Sequence, residues 1–367
     1  MVAPGFIAIG SGPAGLTAAE TFREKHPKIP VRILASDPAL PYAKPHLSKS
    51  FLRGGHPKLD LRSPGWFMGN GIQLHRGITV DHIDLANREV VTAAGMRYGY
   101  WHLVLAPGSA AVPLAVPGGD TALPLRSLAD AVVVRMAAAN SDSTLVVGGG
   151  LIGCEAASAL AARGVVTTLV APEPVPLYRR FGIEVGERVA KMLSDSGVRF
   201  IGSAGVNAID GAEVTLDTGA AVEADLVVCA TGVRSDARLA ADAGLELADG
   251  RVVVDEHMHT SALNVYAAGD VALAYNAAAG RPIVSEHWRD ATEQGRVAGA
   301  GAAGYSVSWA TMPEFSFFIA EHKLKYRGWG TEFDHCELVD TREGFTATYR
   351  CGDEVVGVLT ATANRDA

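Results

Sequence analysis

A chain of 367 residues is longer than one hydrophobic core usually serves, so two or three domains are expected. Its net charge of −8, with aromatic residues at only 7%, argues against a broad nucleic-acid-binding surface, so any basic site must be local. The four cysteines, Cys154, Cys229, Cys336 and Cys351, form no CxxC pair and join no Cys/His cluster at zinc spacing, so neither a metal site nor dithiol chemistry is expected.

The N-terminal MVAPGFIAIG has no basic leader before its apolar run and passes straight into a glycine motif, so it does not read as a signal peptide. Apolar stretches such as Leu145 to Cys154 are too short to span a bilayer and are cut by Glu155, so a cytoplasmic protein without a membrane span is expected. FIAIGSGPAGLTAAETF joins an apolar strand, a G-x-G-x-x-G turn (Gly10, Gly12, Gly15) and a small-residue helix. In such a turn the first glycine bends the chain, the second lets backbone approach a pyrophosphate, and the third lets helix pack on strand. The pyrophosphate then sits on the helix N-terminus, where free N–H groups and the helix dipole favour negative charge. The next strand, VRILASD, ends in Asp37, placed to take the adenosine ribose hydroxyls. PYAKPHLSKSFLRGG, residues 41 to 55, then carries more positive charge than a surface connector needs. YGYWHLVLAPG is an apolar strand ending in A-x-G.

The dinucleotide unit recurs as TLVVGGGLIGCEAASAL, with Gly148, Gly150 and Gly153. One such turn occurs in many settings, whereas two, each running from strand to helix and each followed by another strand, point to paired dinucleotide sites. The second following strand, VVTTLVAPE, ends in Ala171 and Pro172, with Glu173 two positions late. EADLVVCATG is another strand ending in A-x-G, RVVVDEHMHTSALNVYAAGD is two strands closing on Gly269 and Asp270, and residues 285 to 304 have helical small-residue spacing. From about Trp309 the chain reads as short alternating strands with glycine-containing turns.

In this order the pieces resemble the flavoprotein family of NAD(P)H-dependent ferredoxin, rubredoxin and putidaredoxin reductases, which are pyridine nucleotide-disulfide oxidoreductase-like but lack the redox disulfide. Relatives of that family include apoptosis-inducing factor and monodehydroascorbate reductase. The match runs nearly end to end, through Gly10 to Gly15, Asp37, Pro41 to Lys49, Ala106 to Gly108, Gly148 to Glu155, Ala230 to Gly232, Ala268 to Asp270, and Glu286 to Trp288. The resemblance implies an α/β fold with two Rossmann-like dinucleotide-binding domains, for FAD and NAD(P), plus a small C-terminal α+β domain. The FAD part is expected over 1–112 and 235–308, the NAD(P) part over 113–234, and a shortened C-terminal part over 309–367.

By the same resemblance Lys49 reaches the flavin near N5 and pairs with Glu155, and these two are the expected catalytic residues. A lysine there stabilises the negative charge a flavin gains on reduction. The implied cofactor-binding residues are Gly10, Gly12, Ala14, Gly15, Asp37, Lys44, Lys49, Val80, Ala106, Arg126, Gly148, Gly150, Ile152, Gly153, Glu155, Glu173, Gly232, Gly269, Asp270, Glu286 and Trp288. Within this set Asp270 meets the ribitol and pyrophosphate, the helix after Glu286 points its N-terminus at the flavin, Trp288 lies beside the ring or packs as a core tryptophan, and Arg126 is either near FAD or a solvated helix-start arginine.

The chain departs from the family pattern in several places. Asp37 stands for the usual glutamate, Lys44 for arginine, Ala106-Pro107-Gly108 for A-T-G, and PEFSFF (313 to 318) for an aromatic segment usually written P-Y-F-W-S-D. The chain stops at Asn364-Arg365-Asp366-Ala367, where relatives usually continue through a helix. His257 and His259 lack a third ligand and read as turn residues, and Cys154 and Cys229 read as small apolar core residues.

The expected function is electron transfer from a nicotinamide through FAD to a ferredoxin-like iron-sulfur protein. The rivals are a flavin oxidoreductase acting on a quinone or other small molecule, and a redox-responsive NADH-binding protein resembling apoptosis-inducing factor. NADH is favoured over NADPH if Glu173 reaches the ribose, while Arg179 and Arg180 are the alternative, as 2′-phosphate ligands. Two basic clusters are candidates for the partner surface, one of Lys44, Lys49, Arg53, Lys58 and Arg62, the other of Lys323, Lys325 and Arg327. A monomer or homodimer is expected.

Overall fold

The computed structural model describes residues 2–363, so Asn364 to Ala367 lie outside the described residues. Contacts gather the chain into two compact units. The first comprises Met1–Tyr42, Asp60–Ala110 and Arg234–Glu314, and the second Ala43–Leu59, Ala111–Val233 and Phe315–Ala367.

In the first unit, the apolar run Phe6 to Ile9 lies in strand Val2–Ile9, at the centre of a parallel layer. On one side it pairs with Val31–Ala35, which in turn pairs with Ile72–Arg76; on the other it pairs with Arg97–Leu105, which also carries Val265–Ala267. Strands covered on both faces read as unbroken apolar runs, and all five residues of Val31–Ala35 are buried. The first half of Arg97–Leu105 pairs antiparallel with Glu89–Thr92, which pairs with Val80–Asp84. A smaller sheet holds Leu247–Ala248, Arg251–Val254, Ala272–Asn276 and Arg281–Val284.

Helix Pro13–Lys25, which follows the first glycine turn, packs on helix Trp288–Ala302. The contact is made close by missing side chains. A Cβ at Gly295 would lie 2.2 Å from the Ala14 carbonyl oxygen, and one at Gly299 would lie 2.4 Å from that of Ala18. The helix of the 285–304 segment is therefore seated on the glycine-turn helix backbone to backbone.

The second unit repeats the plan with a parallel sheet in the order Val198–Ile201, Val166–Val170, Ser143–Val147, Leu226–Cys229, Leu123–Pro124. An antiparallel three-stranded sheet, Val206–Asp210, Glu213–Leu216 and Ala221–Glu223, adds Ile209, Val214 and Leu216 to its core, where Cys229 packs as an apolar residue.

The C-terminal residues form an antiparallel five-stranded sheet in the order Glu314–Ile319, His322–Gly328, Glu354–Ala363, Gly344–Cys351, His335–Thr341. Among the described residues this stretch contributes strands and no helix, which departs from the α+β composition expected for it. It clusters with the second unit because Phe181, fully buried on helix Tyr178–Asp195, stacks on Phe317 at 5.8 Å and meets Tyr326 at 5.3 Å and Tyr349 at 6.1 Å. Segment 43–59, with the LSK motif, also belongs to this unit, whereas the sequence reading placed it in the FAD part.

Gly295→Ala separates two opposed effects. Helix propensity favours alanine by about 1 kcal/mol, whereas the lost backbone approach to Ala14 is an overpacking defect of about 1–3 kcal/mol. Net destabilisation, read as a lower midpoint in denaturant, is expected; an unchanged or higher midpoint would mean that the two helices are free to part.

Candidate functional site

The two glycine turns share one construction. A Cβ at Gly10 would lie 2.1 Å from the carbonyl oxygen of Ala106, and one at Gly148 would lie 2.3 Å from that of Ala230. Ala106-Pro107-Gly108 therefore does the same steric work as Ala230-Thr231-Gly232, because the contact is to the alanine carbonyl and not to the residue after it. At the third glycines a Cβ would strike the turn itself: at Gly15 it would lie 2.0 Å from the Gly10 oxygen, and at Gly153 1.9 Å from the Gly148 oxygen.

The second glycines differ. Nothing lies within 4 Å of a Cβ built at Gly12 or Gly150, both have extended backbone, and neither helix start receives a side-chain cap. Open space beside uncapped N–H groups is what a diphosphate needs and a closed structural turn does not. Ala14 and Ile152 sit in the first turns of the two helices, Ala14 buried and Ile152 half-buried.

In the first unit the Asp37 carboxylate accepts from the Ala39 N–H and the Tyr42 hydroxyl, each at 2.9 Å, so it closes a turn as well as facing the strand end. Val80, buried, begins the strand whose first carbonyls receive Arg238. Asp270 accepts from the Ser109 hydroxyl at 2.6 Å, and the Gly269 N–H donates to Gln294 Oε1 at 2.8 Å. Arg251 donates both to the Asp270 carbonyl and to Glu286. Trp288, half-buried, is the first residue of its helix, while the fully buried tryptophan is Trp309, so Trp288 is not a core residue. Asp290, in that helix's first turn and buried, accepts from the Ser285 hydroxyl; burial raises its carboxyl to about 6, against the lowering effects of Ser285 and Arg289.

In the second unit Lys49 and Glu155 meet at 3.1 Å. Lys49 belongs to a π-helical turn, Leu47–Phe51, in which its own backbone is non-helical, and its ammonium also donates to the Pro45 carbonyl at 3.0 Å. Glu155, 5% exposed, accepts from the Ser48 hydroxyl at 2.6 Å and from the Phe318 N–H at 3.1 Å. Lys44 lies on the short 3₁₀ turn before the motif, and Arg126 precedes helix Leu128–Ala138, its N–H donating to Asp130. Glu173 pairs with Arg179, and its backbone carbonyl takes the Ser203 N–H at 3.0 Å. Arg180 lies over the Phe315 ring at 5.0 Å.

The model of the pyridine nucleotide-disulphide oxidoreductases matches residues 6–295. The chain belongs to that family. Rubredoxin-NAD(+) reductase of Pseudomonas putida is 31% identical over 318 residues, 84% of this chain and 82% of that protein. Apoptosis-inducing factor 3 of Homo sapiens is 31% identical over 374 residues, 98% of this chain but 61% of that protein. Among solved structures, the covalent putidaredoxin reductase–putidaredoxin complex aligns with a TM-score of 0.93 at 27% identity, over 98% of this chain and 90% of that one.

Although the family name includes a disulphide, all four cysteines of this oxidoreductase are free, and burial pushes the Cys154 thiol up. The sequence reading missed Ser48, Ser109, Arg251 and Gln294. Ser48 sat in plain view inside LSK, whereas the other three depend on distant segments meeting. The first basic cluster is dispersed in its roles. Arg62, in the other unit from Lys44, Lys49, Arg53 and Lys58, pairs with Glu20 at 2.9 Å, and Arg53 donates to the Ala320 carbonyl at 2.7 Å. No helix among the described residues is long and apolar enough to cross a membrane.

Asp290 gives a pH prediction with a definite sign. A carboxyl that binds its proton more tightly folded than unfolded costs nothing below both values and destabilises as pH rises through about 6. The melting temperature of Asp290→Asn, which keeps an acceptor for Ser285, should rise relative to the parent protein as pH goes from 4 to 7; a constant difference would remove Asp290 as the titrating group.

Proposed function

We propose that this family member is an FAD-dependent NAD(P)H oxidoreductase that passes electrons from a nicotinamide to an iron-sulfur protein of the ferredoxin type. What supports this reading most is the doubled cradle, each with an open second glycine and an uncapped helix start. FAD, when bound, supplies the chemistry no side chain can, accepting a hydride and releasing electrons singly.

The chain's own groups do the rest. The first turn of helix Pro13–Lys25 would hold the FAD diphosphate, Asp37 would take the ribose hydroxyls, and Asp270, held by Ser109, would meet the ribitol and pyrophosphate. The first turn of helix Leu151–Ala161 holds the nicotinamide diphosphate. Lys49 contributes a fixed positive charge that favours the reduced flavin. Because the Ser48 hydroxyl and the Phe318 N–H, both neutral donors, also bind Glu155, the carboxylate is satisfied in part without Lys49, and the ammonium keeps charge to offer.

NADH is the preferred coenzyme on this reading. Glu173 offers an acid for the ribose hydroxyls, and of the two arginines that could take a 2′-phosphate, Arg180 is engaged with Phe315 and Arg179 with Glu173 itself. The partner surface is the row Lys323, Lys325 and Arg327. These alternate with buried Leu324 and Tyr326 on one strand, so all three project from one face of the C-terminal sheet. On a chain of net charge −8 such a row steers an acidic partner locally.

The purified protein should show an oxidised-flavin spectrum that NADH bleaches faster than NADPH under anaerobic conditions. Bound flavin that neither nucleotide reduces would turn the assignment toward a redox-responsive binding protein. Lys323→Glu with Arg327→Glu should slow reduction of an acidic ferredoxin in a salt-dependent way while ferricyanide reduction is unchanged; equal ferredoxin rates at low salt would remove this row as the docking site.

A further inference from the structure

We infer that Arg251 is a positioning residue for the flavin cradle, acting by neutralising Glu286 and locking it to the Gly269–Asp270 turn. The inference rests on the FAD reading above and adds a residue that no glycine motif or acidic motif contains.

Two separate segments are assigned to the flavin in the first unit: Gly269–Asp270, after strand Val265–Ala267, and Glu286 to Trp288, leading into helix Trp288–Ala302. Both are loops, which need outside support to hold a fixed spacing. On the helix side that support is Gln294, 1% exposed, which receives the Gly269 N–H. On the other side it is Arg251, whose side chain is 12% exposed. Arg251 begins strand Arg251–Val254, whose next residue pairs with Ala272, so the guanidinium starts beside the turn it serves. One terminal nitrogen donates to the Asp270 carbonyl and the other to the Glu286 carboxylate.

The charge matters as much as the tether. Glu286 and Asp270 are both acids tied to Arg251, and Glu286 lies just before helix Trp288–Ala302, whose N-cap residue, His287, does not cap the helix with its side chain. An uncompensated carboxylate at that end competes with the negative charge that a diphosphate or a reduced flavin brings to it. Arg251 removes the competition from Glu286, and it binds Asp270 through the main-chain carbonyl and not through the carboxylate, which takes the Ser109 hydroxyl. A planar fork can serve a carbonyl and a carboxylate together; an ammonium is a single point charge and cannot hold the same spacing.

The test uses the full-length protein stripped of flavin and titrated with FAD, together with the midpoint potential of the reloaded protein and the melting temperature of the flavin-free form. Arg251→Ala should weaken FAD binding by about tenfold or more and shift the flavin potential negative. Arg251→Lys should not restore either. The double variant Arg251→Ala/Glu286→Gln should bring the potential back toward the parent value, because the unpaired charge is gone, while its affinity stays below that of the parent, because Glu286 is itself part of the cradle. Arg251→Gln serves as the second variant should the alanine form fold poorly. Parent-like affinity and potential in Arg251→Ala or Arg251→Gln would overturn the inference, as would a double variant whose potential is no closer to the parent value than that of the single one at equal melting temperature. If the parent protein itself does not bind FAD, the cofactor reading falls and the inference with it, an outcome distinct from parent binding that the variants leave untouched.

Discussion

At Gly10 and Gly148 a main-chain oxygen from a neighbouring strand end lies about 2 Å from where a side chain would begin, closer than any Cβ is tolerated, and the rest of both units is arranged around that approach. The strand can turn into its helix only if the alanine carbonyl of the A-x-G segment is allowed this close, so each turn is clamped between its own helix and a strand from much later in the chain. What remains uncrowded is the second glycine. The cradle is therefore not a flexible loop waiting to be shaped by a ligand but a fixed edge with one opening, and the helix N–H groups behind it have no side chain to satisfy them.

A second organising element is the carboxylate of Glu155, which gathers three segments that are far apart in sequence: the LSK turn, its own helix and the first strand of the C-terminal sheet. A buried acid with charged and neutral donors together is held in one geometry, so the lysine it holds inherits that geometry. Placing segment 43–59 with the second unit rather than the first follows from this carboxylate and from Arg135 and Arg163, which donate to carbonyls of residues 51 to 55.

The strands and helices were legible wherever a local pattern sufficed: both glycine units, the buried run of Val31–Ala35, the helix of the 285–304 segment and the alternating strands past Trp309 all follow from period and turn chemistry. The family pattern likewise pointed to Lys49 meeting Glu155. What the sequence could not show was partnership across long separations. PEFSFF stood out only as a departure from the family's aromatic segment, because its phenylalanines are indistinguishable in the sequence; in the fold Phe315 and Phe317 turn inward to Phe181, while Phe318 gives its N–H to Glu155. Arg62 looked like a member of a cationic cluster because charge runs carry no sign of where their counter-ions are, and its counter-ion is Glu20. Asp37 read as a ribose ligand, and the same carboxylate also closes its own turn.

The strand Glu314–Ile319 lies at the margin of its sheet, with only His322–Gly328 beside it. A strand so placed ordinarily leaves every second peptide group without a partner, and such rows recruit other polypeptides and seed fibrils. Here the outward donors of Phe318 and Ala320 are taken by Glu155 and Ser158, at 3.1 and 2.7 Å, and the Ala320 carbonyl is taken by Arg53. The side chains that settle the lysine–glutamate pair thus also blunt a sticky margin, and a lesion at Glu155 or Ser158 would carry a colloidal penalty, seen as loss of solubility, separate from any loss of turnover.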